Sequence, residues 1–352
     1  MTAGLLLYCR AGFEKECAQD ITHAAGQLGV AGWCKARTDT GYVLFYPEEE
    51  AGFEVLQKRL AFSTLIFSRQ MIFVTGPHAD LPIGDRATPL LVAARNWHSN
   101  FSALWLETAD TNDAKETLGF CRKFEPHLKR ALEQGGLLKE SGILPRLHIY
   151  FLDSSTAYVG YSHPGNSSNW PMGIPRLRMP RQAPSRSTLK LAEAISELLT
   201  TAEQEKLRAG QRAVDLGAAP GGWTWQLASL SIQVLAVDNG AMAQSVLDTG
   251  FVEHVRADAF TFRPRRPVDW LVCDVVDKPA RVADLVGRWF ERGDCRNAIF
   301  NLKLPMKRRY EETRACIEHL STRLERLERA TRLGARQLFH DREEISCVII
   351  SD

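Results

Sequence analysis

Asp215-Leu216-Gly217-Ala218-Ala219-Pro220-Gly221-Gly222-Trp223-Thr224 decides how this chain folds. The apolar run 213–216 leads into it, and a helical pattern over 224–230 leads out. A strand, a glycine-rich turn and a helix in that order open a doubly wound α/β sheet. Ligands of such sheets bind at the carboxyl ends of the strands. Glycine and alanine at the turn let backbone approach a ligand closely. The spacing is G-x-x-x-G-G, which differs from the G-x-G-x-x-G of dinucleotide binders. The lysine and hydroxyl residue of a phosphate-binding loop are missing too, so a nicotinamide enzyme and a P-loop nucleotidase are both disfavoured.

Further along the chain, short apolar runs recur at 233–238, 270–276 and 298–304, with helical stretches between most of them. That alternation predicts an α/β fold with a mostly parallel sheet. A long charged helix is expected over 310–333. Runs at 337–340 and 345–351 then lie close enough to pair as an antiparallel hairpin at the sheet edge. An acidic residue ends each early strand: Asp215, Asp238, Asp258 and Asp274. One such carboxylate is commonly a cap or a surface group. Four at the carboxyl edge of successive strands surround one crevice. Asp238 stands where a carboxylate accepts the ribose hydroxyls of an adenosine, and Asp258 stands near the adenine position. With Gly217, Ala219, Pro220, Gly221 and Gly222 they make the candidate cofactor pocket.

Before this part, residues 1–75 read β-α-β-α-β, and residues 76–165 form a second α/β stretch with a basic helix over 122–133. Residues 166–187 hold Pro171, Pro175, Pro180 and Pro184 among Arg176, Arg178, Arg181 and Arg186, and are expected to be an extended linker. The doubly wound domain proper is expected over 188–352. A length of 352 residues suits about two domains of roughly 100–200 residues each.

The loop pattern D-x-G-x-x-P-G-G-[FWY]-[ST] resembles the first motif of the FtsJ-like RNA ribose 2′-O-methyltransferases. Pro184-Ser185-Arg186-Ser187-Thr188-Leu189-Lys190, Asn301-Leu302-Lys303-Leu304-Pro305-Met306 and His340-Asp341-Arg342-Glu343-Glu344 resemble the branch that modifies bacterial large-subunit ribosomal RNA. The likeness spans nearly the whole chain and is dense in motifs from about residue 180 onward. It implies a Rossmann-like domain with a seven-stranded sheet and S-adenosyl-L-methionine as cofactor. For this branch it implies a cytidine in the peptidyl-transferase loop of 23S rRNA, or its precursor, as target. It also implies a ferredoxin-like module at 1–75 and a THUMP-like RNA-binding module at 76–165, for which a scaffold or dimerisation domain is the alternative. The family's Lys-Asp-Lys-Glu tetrad falls on Lys190, Asp274, Lys303 and Glu344. By that likeness Lys303 accepts the proton and Asp274 orients it beside the methyl group. Lys190 tunes the electrostatics, and Glu344 holds the lysine or the ribose. Ser187 resembles a cofactor contact, and its position also suits a helix N-cap.

The chemistry explains why those residue types are needed. Methyl transfer to a ribose hydroxyl needs alignment, a base, and positive charge near the developing oxyanion. Lys303 lies between Leu302 and Leu304 in an apolar run. It is either an edge residue that snorkels or a lysine whose pKa burial and Lys190 lower. Asp274 beside it would push the other way. Glu343 and Glu344 point to opposite faces of a strand, and Glu344 is taken because it directly precedes the run 345–350, as the resemblance implies.

The formal net charge is +2, so charge distribution must speak for any nucleic acid. Lys303, Lys307, Arg308 and Arg309 cluster beside the proposed site, and Arg263, Arg265 and Arg266 share a loop. Arg122, Lys123, Lys129 and Arg130 add slight support for RNA contact. Arg323, Arg326, Arg329 and Arg332 read mainly as a solvated helix face paired with Glu318, Glu325 and Glu328. Eight cysteines without CxxC spacing read as reduced thiols, not a zinc site. No run reaches the ~20 apolar residues of a bilayer span. A cytoplasmic monomer without metal is therefore expected. The competing functions are a small-molecule O-methyltransferase and a non-catalytic RNA-binding or assembly factor.

Overall fold

The computed structural model describes residues 3–351. The chain forms two compact units, one running to Pro175 and one starting at Arg176.

The first unit contains β1 (Ala3–Tyr8), α1 (Glu14–Gln27), β2 (Gly32–Ala36), β3 (Tyr42–Pro47), α2 (Glu50–Arg59) and β4 (Gln70–His78). It continues with α3 (Ala87–Arg95), β5 (Ala103–Glu107), α4 (Lys115–Gln134), β6 (Arg146–Asp153) and β7 (Thr156–Ser162). The seven strands make one sheet in the order β2-β3-β1-β4-β7-β6-β5. Every neighbouring pair is antiparallel except β5 and β6. The boundary expected at residue 75 falls inside β4, which pairs with β1 on one side and β7 on the other. Residues 166–175, expected in the linker, are held in this unit. Asn166 Oδ1 accepts from Phe62 N at 2.7 Å, and Arg146 Nη1 donates to the Ser168 carbonyl at 2.9 Å. Glu107 accepts from the Met172 amide. Proline content is blind to such long-range side-chain bonds. The half-exposed β2 escaped sequence reading because it has no apolar run.

The second unit begins with α5 (Ser187–Leu198), α6 (Thr201–Gln204), β8 (Arg212–Leu216), α7 (Gly222–Ala228), β9 (Gln233–Val237), α8 (Gln244–Leu247) and β10 (Val252–Val255). β11 (Val268–Cys273), α9 (Pro279–Glu291), β12 (Cys295–Lys303), α10 (Arg309–Leu324), β13 (Thr331–Arg336) and β14 (Glu344–Ser351) complete it. The sheet order is β10-β9-β8-β11-β12-β14-β13, parallel except around β14, which runs antiparallel to both its neighbours. This is the expected seven-stranded Rossmann-like sheet with a closing hairpin. Leu191 and Leu227 from the helices pack on Trp270, Val272, Ile299 and Val348 of the central strands.

The helix expected over 310–333 is shorter, and the hairpin's first strand is 331–336, not 337–340. The arginine series is therefore not one helix face. Arg323 pairs with Asp284 and Glu291, Arg329 Nη2 donates to the Cys295 carbonyl, and Arg332 bonds Glu203. These tertiary partners outweigh helical continuity.

No helix is long and apolar enough to cross a membrane among the described residues. All eight cysteines are free.

Candidate active site

β8 delivers the chain to the glycine-rich turn, and α7 carries it away. Gly221 has φ of +113°, and a Cβ there would lie 2.9 Å from both Met242 Cε and Val246 Cγ2. At Gly222 a Cβ would lie 2.1 Å from Ser187 Oγ and 2.4 Å from Ser185 Oγ. Both positions therefore demand glycine, and the second presses the turn against the start of α5. Gly217 N donates to the Val237 carbonyl, and Ala219 N donates to Asp238 Oδ2, both at 3.0 Å. The Pro220 carbonyl accepts from Ala243 N at 2.9 Å. Asp238 Oδ1 accepts from Gly240 N at 2.7 Å, so one carboxylate ties the ends of β8 and β9 together.

Asp215 is buried and accepts from Thr224 Oγ1 at 2.6 Å through Oδ2. Its Oδ1 is buried with no hydrogen-bond partner. Burial pushes this carboxyl up to about 7, against the opposing bond from Thr224. Asp258 is exposed after β10 and accepts from Phe260 N at 2.8 Å. Ser187 does not cap the helix as its residue type suggested. It is the first residue of α5, Arg186 occupies the cap, and the Ser187 hydroxyl meets Ser185 Oγ at 2.6 Å. An orphaned carboxyl oxygen, a turn that excludes side chains, and carboxylates at three neighbouring strand ends fit an adenosine with a positively charged sulfur.

The four tetrad residues come together, although α5, the segment just after β11, β12 and β14 carry one each. Lys303 and Glu344 face each other in the β12–β14 register. Lys303 Nζ donates to Asp274 Oδ1 at 2.5 Å and to Glu344 Oε2. Lys190 Nζ lies 3.5 Å from Asp274 Oδ2 and pairs with Glu344 Oε1. Each lysine therefore bridges both carboxylates. Glu344 is the more enclosed acid, with 6% of its side chain exposed against 16% for Asp274. Glu343 points elsewhere and binds Arg309 at 2.7 Å.

Of the two alternatives for Lys303, a pKa lowered by burial and Lys190 does not hold. Burial is the largest single influence and does lower it. Asp274 and Glu344 together outweigh burial, and the ammonium form is favoured.

Asn301 was missed as a site residue. Its Nδ2 donates to Asp274 Oδ1 at 3.1 Å. A buried asparagine two positions before the lysine in an apolar strand was the available signal. Glu193 of α5 accepts the backbone N–H groups of Phe339 and His340, both at 2.8 Å, and so anchors the segment that leads to Glu344. No group of three or more His, Cys, Asp or Glu is arranged to hold a metal among the described residues.

Comparison with known proteins adds the family. The family model described as the RlmM ferredoxin-like domain matches residues 1–72. The model for the N-terminal region of ribosomal RNA large subunit methyltransferase M matches 85–163, and the FtsJ-like methyltransferase model matches 183–287. The chain is 52% identical over 344 residues to the ribosomal RNA large subunit methyltransferase M of Methylococcus capsulatus, covering 98% of this chain and 97% of that protein. It is 51% identical over 346 residues to the protein of that name from Aromatoleum aromaticum, covering 98% and 94%. For the one from Stutzerimonas stutzeri the figure is 50% over 344 residues, covering 97% and 98%. With half its residues shared end to end, and the FtsJ-like domain placed over the glycine turn, this chain belongs to the ribosomal RNA large subunit methyltransferase M family.

Proposed function

We propose that this chain transfers a methyl group from S-adenosylmethionine to the 2′-hydroxyl of one ribose in ribosomal RNA, a cytidine in the peptidyl-transferase loop of 23S rRNA. The carrying observation is the ring of Lys190, Asp274, Lys303 and Glu344. The names of the relatives supply the ribosomal RNA substrate, and family likeness supplies the cytidine.

S-adenosylmethionine, when bound, supplies an electrophilic methyl on a sulfonium. The chain's own residues do the rest. Gly221 and Gly222 keep side chains out of the turn, and Asp215, Asp238 and Asp258 offer carboxylates to the nucleoside and its charge. Ser187 and Ala219 line the same turn. Lys303 takes the ribose proton, Asp274 aims it, and Glu344 and Lys190 hold the charge balance. Because Lys303 rests as an ammonium, it must lose a proton before it can serve as base. Deprotonation is therefore part of the rate at neutral pH.

RNA would approach across the carboxyl ends of β11 and β12. Lys307 and Arg308 are exposed there, beside Met306 at 92% and Val276 at 86% exposure. Cations meet phosphates, while exposed apolar side chains suit the face of an unstacked base in single-stranded RNA. Residues 76–165, with Arg122, Lys123, Lys129 and Arg130 on α4, form a second RNA-contacting region in this reading, and the reaction runs in the cytoplasm.

The test is methyl transfer from labelled cofactor to ribosomal RNA of cells lacking this gene, followed by mass spectrometry of fragments. One fragment gaining a single methyl at a cytidine 2′-oxygen supports the reading. Transfer to a base, or none to RNA, overturns it.

A further inference from the structure

Behind Asp274 lies a line of buried polar side chains that the reaction as described does not use. Asn301 on β12 faces Ser346 on β14 in the strand register. The Asn301 Nδ2 donates to Asp274 Oδ1, and Ser346 Oγ lies 2.9 Å from Asn301 Oδ1. Asp341, just before β14, places its two carboxyl oxygens 3.2 and 3.1 Å from the same Ser346 Oγ. Asn301, Ser346 and Asp341 are each 0% exposed.

We propose that these residues form a one-directional hydrogen-bond chain, Asp341 to Ser346 to Asn301 to Asp274, that holds the Asp274 carboxylate against Lys303. The proposal rests on the methyl-transfer reading of the site, and its residues are positioning residues.

The direction follows from counting protons. A serine hydroxyl carries one proton. Asn301 must turn its N–H toward Asp274, because its carbonyl oxygen would repel the carboxylate. The Asn301 Oδ1 then faces Ser346 and needs a donor, so Ser346 directs its single proton there. Ser346 has only lone pairs left for Asp341. An ionised Asp341 would set lone pair against lone pair in a dry site, whereas a protonated acid donates. Asp341 Oδ2 also accepts from Leu338 N at 3.0 Å.

The surroundings agree. Burial and then the Glu344 charge push this carboxyl well above the usual carboxylate range. Glu193 adds to the push, and the opposing cation, Lys190, does not cancel it. Asp341 therefore contributes a hydrogen bond and no charge, and the balance of two lysines against two carboxylates stands. Were the chain reversed, the Asn301 amide would flip and Asp274 Oδ1 would lose its second donor. Lys303 would then be aimed less tightly at the ribose.

Two measurements test this. In carbon NMR of the intact protein, with the signal assigned by its loss in Asp341→Asn, the Asp341 carboxyl is expected to stay protonated well above the pH range in which ordinary carboxyls ionise. In steady-state methyl transfer to unmodified ribosomal RNA, Ser346→Ala is expected to lower kcat about tenfold while both KM values move less than about twofold. Asp341→Asn offers an amide N–H where the acid offered O–H, and should keep kcat within about threefold of wild type. A carboxyl that titrates in the ordinary acid range overturns the proposal. So does a Ser346→Ala protein at full kcat, or an Asp341→Asn protein damaged as severely as Ser346→Ala. If the wild-type protein methylates no RNA, the functional reading fails by itself, and the NMR titration still supports or overturns the chain.

Discussion

Replacing Lys303 by methionine tests the site most directly, because it separates catalysis from charge balance. The ring holds two lysines and two carboxylates, so Lys303→Met changes its formal charge from zero to −1. Methionine keeps the length and apolar stem, so packing between Leu302 and Leu304 is largely retained. Glu344, nearly enclosed, loses one of its two cations and keeps Lys190. Removing one partner of a buried pair costs about 3–5 kcal/mol. Partial exposure of the ring and the remaining lysine reduce that to about 1–2 kcal/mol by the weaker pairing of screened charges. For a unit of this size the loss corresponds to roughly 2–8 °C in Tm. Loss of the base should lower kcat about 10²–10⁴-fold. Cofactor affinity, set by the turn and Asp238, should change less than about threefold, which is about 0.7 kcal/mol. The double variant Lys303→Met/Glu344→Gln restores zero formal charge. Its Tm should return toward wild type while its kcat stays low. Calorimetric binding of S-adenosylhomocysteine, thermal unfolding and labelled-methyl transfer to unmodified ribosomal RNA read the three quantities. Wild-type turnover by Lys303→Met refutes the base assignment. A double variant no more stable than the single one refutes the charge-balance argument.

Further expectations follow from individual residues. Because Asp274 and Glu344 hold Lys303 as an ammonium, kcat should climb with pH across the neutral and alkaline range with a log–log slope near about one; a flat profile would contradict a lysine base. The Asp215 carboxyl is raised from its ordinary 3.8 to about 7, so the folded state keeps a proton that the unfolded chain releases, and stability is lost as pH rises through that window. Asp215→Asn should flatten this loss in Tm-versus-pH curves and weaken cofactor binding. Gly222→Ala drives a methyl into the Ser187 and Ser185 hydroxyls and should abolish measurable cofactor binding in calorimetry, with the first unit's far-UV signal unchanged. Lys307→Ala/Arg308→Ala should weaken RNA binding and reduce the salt slope by about two, one per lost phosphate contact, while leaving cofactor affinity intact; an unchanged slope removes that surface from the RNA path.

The range of each interaction separates what the chain's local pattern encodes from what only folding settles. Local physics made the second unit readable from sequence: the glycine turn after an apolar strand, the strand–helix alternation, and acids at strand ends. A lysine inside an apolar run could be singled out in the same way, since burying a cation without partners is costly. That Glu343 and Glu344 cannot share one face was also legible, because adjacent strand residues face opposite ways, but their alternation did not say which of the two turns inward. Chain folding alone decided the rest. β4 joins two apparent domains in one sheet because its two edges find β1 and β7, pairings that local pattern does not encode. Arg323 and Arg332 take partners 32 and 129 positions away, which dissolved an apparent arginine stripe. The protonation of Lys303 depends on two carboxylates, one brought from the end of β11 and one from β14, and that of Asp341 on burial and on Glu344. Backbone propensity acts over a few residues, whereas charge and burial act over a few ångströms of space, and only the folded chain sets which residues share them.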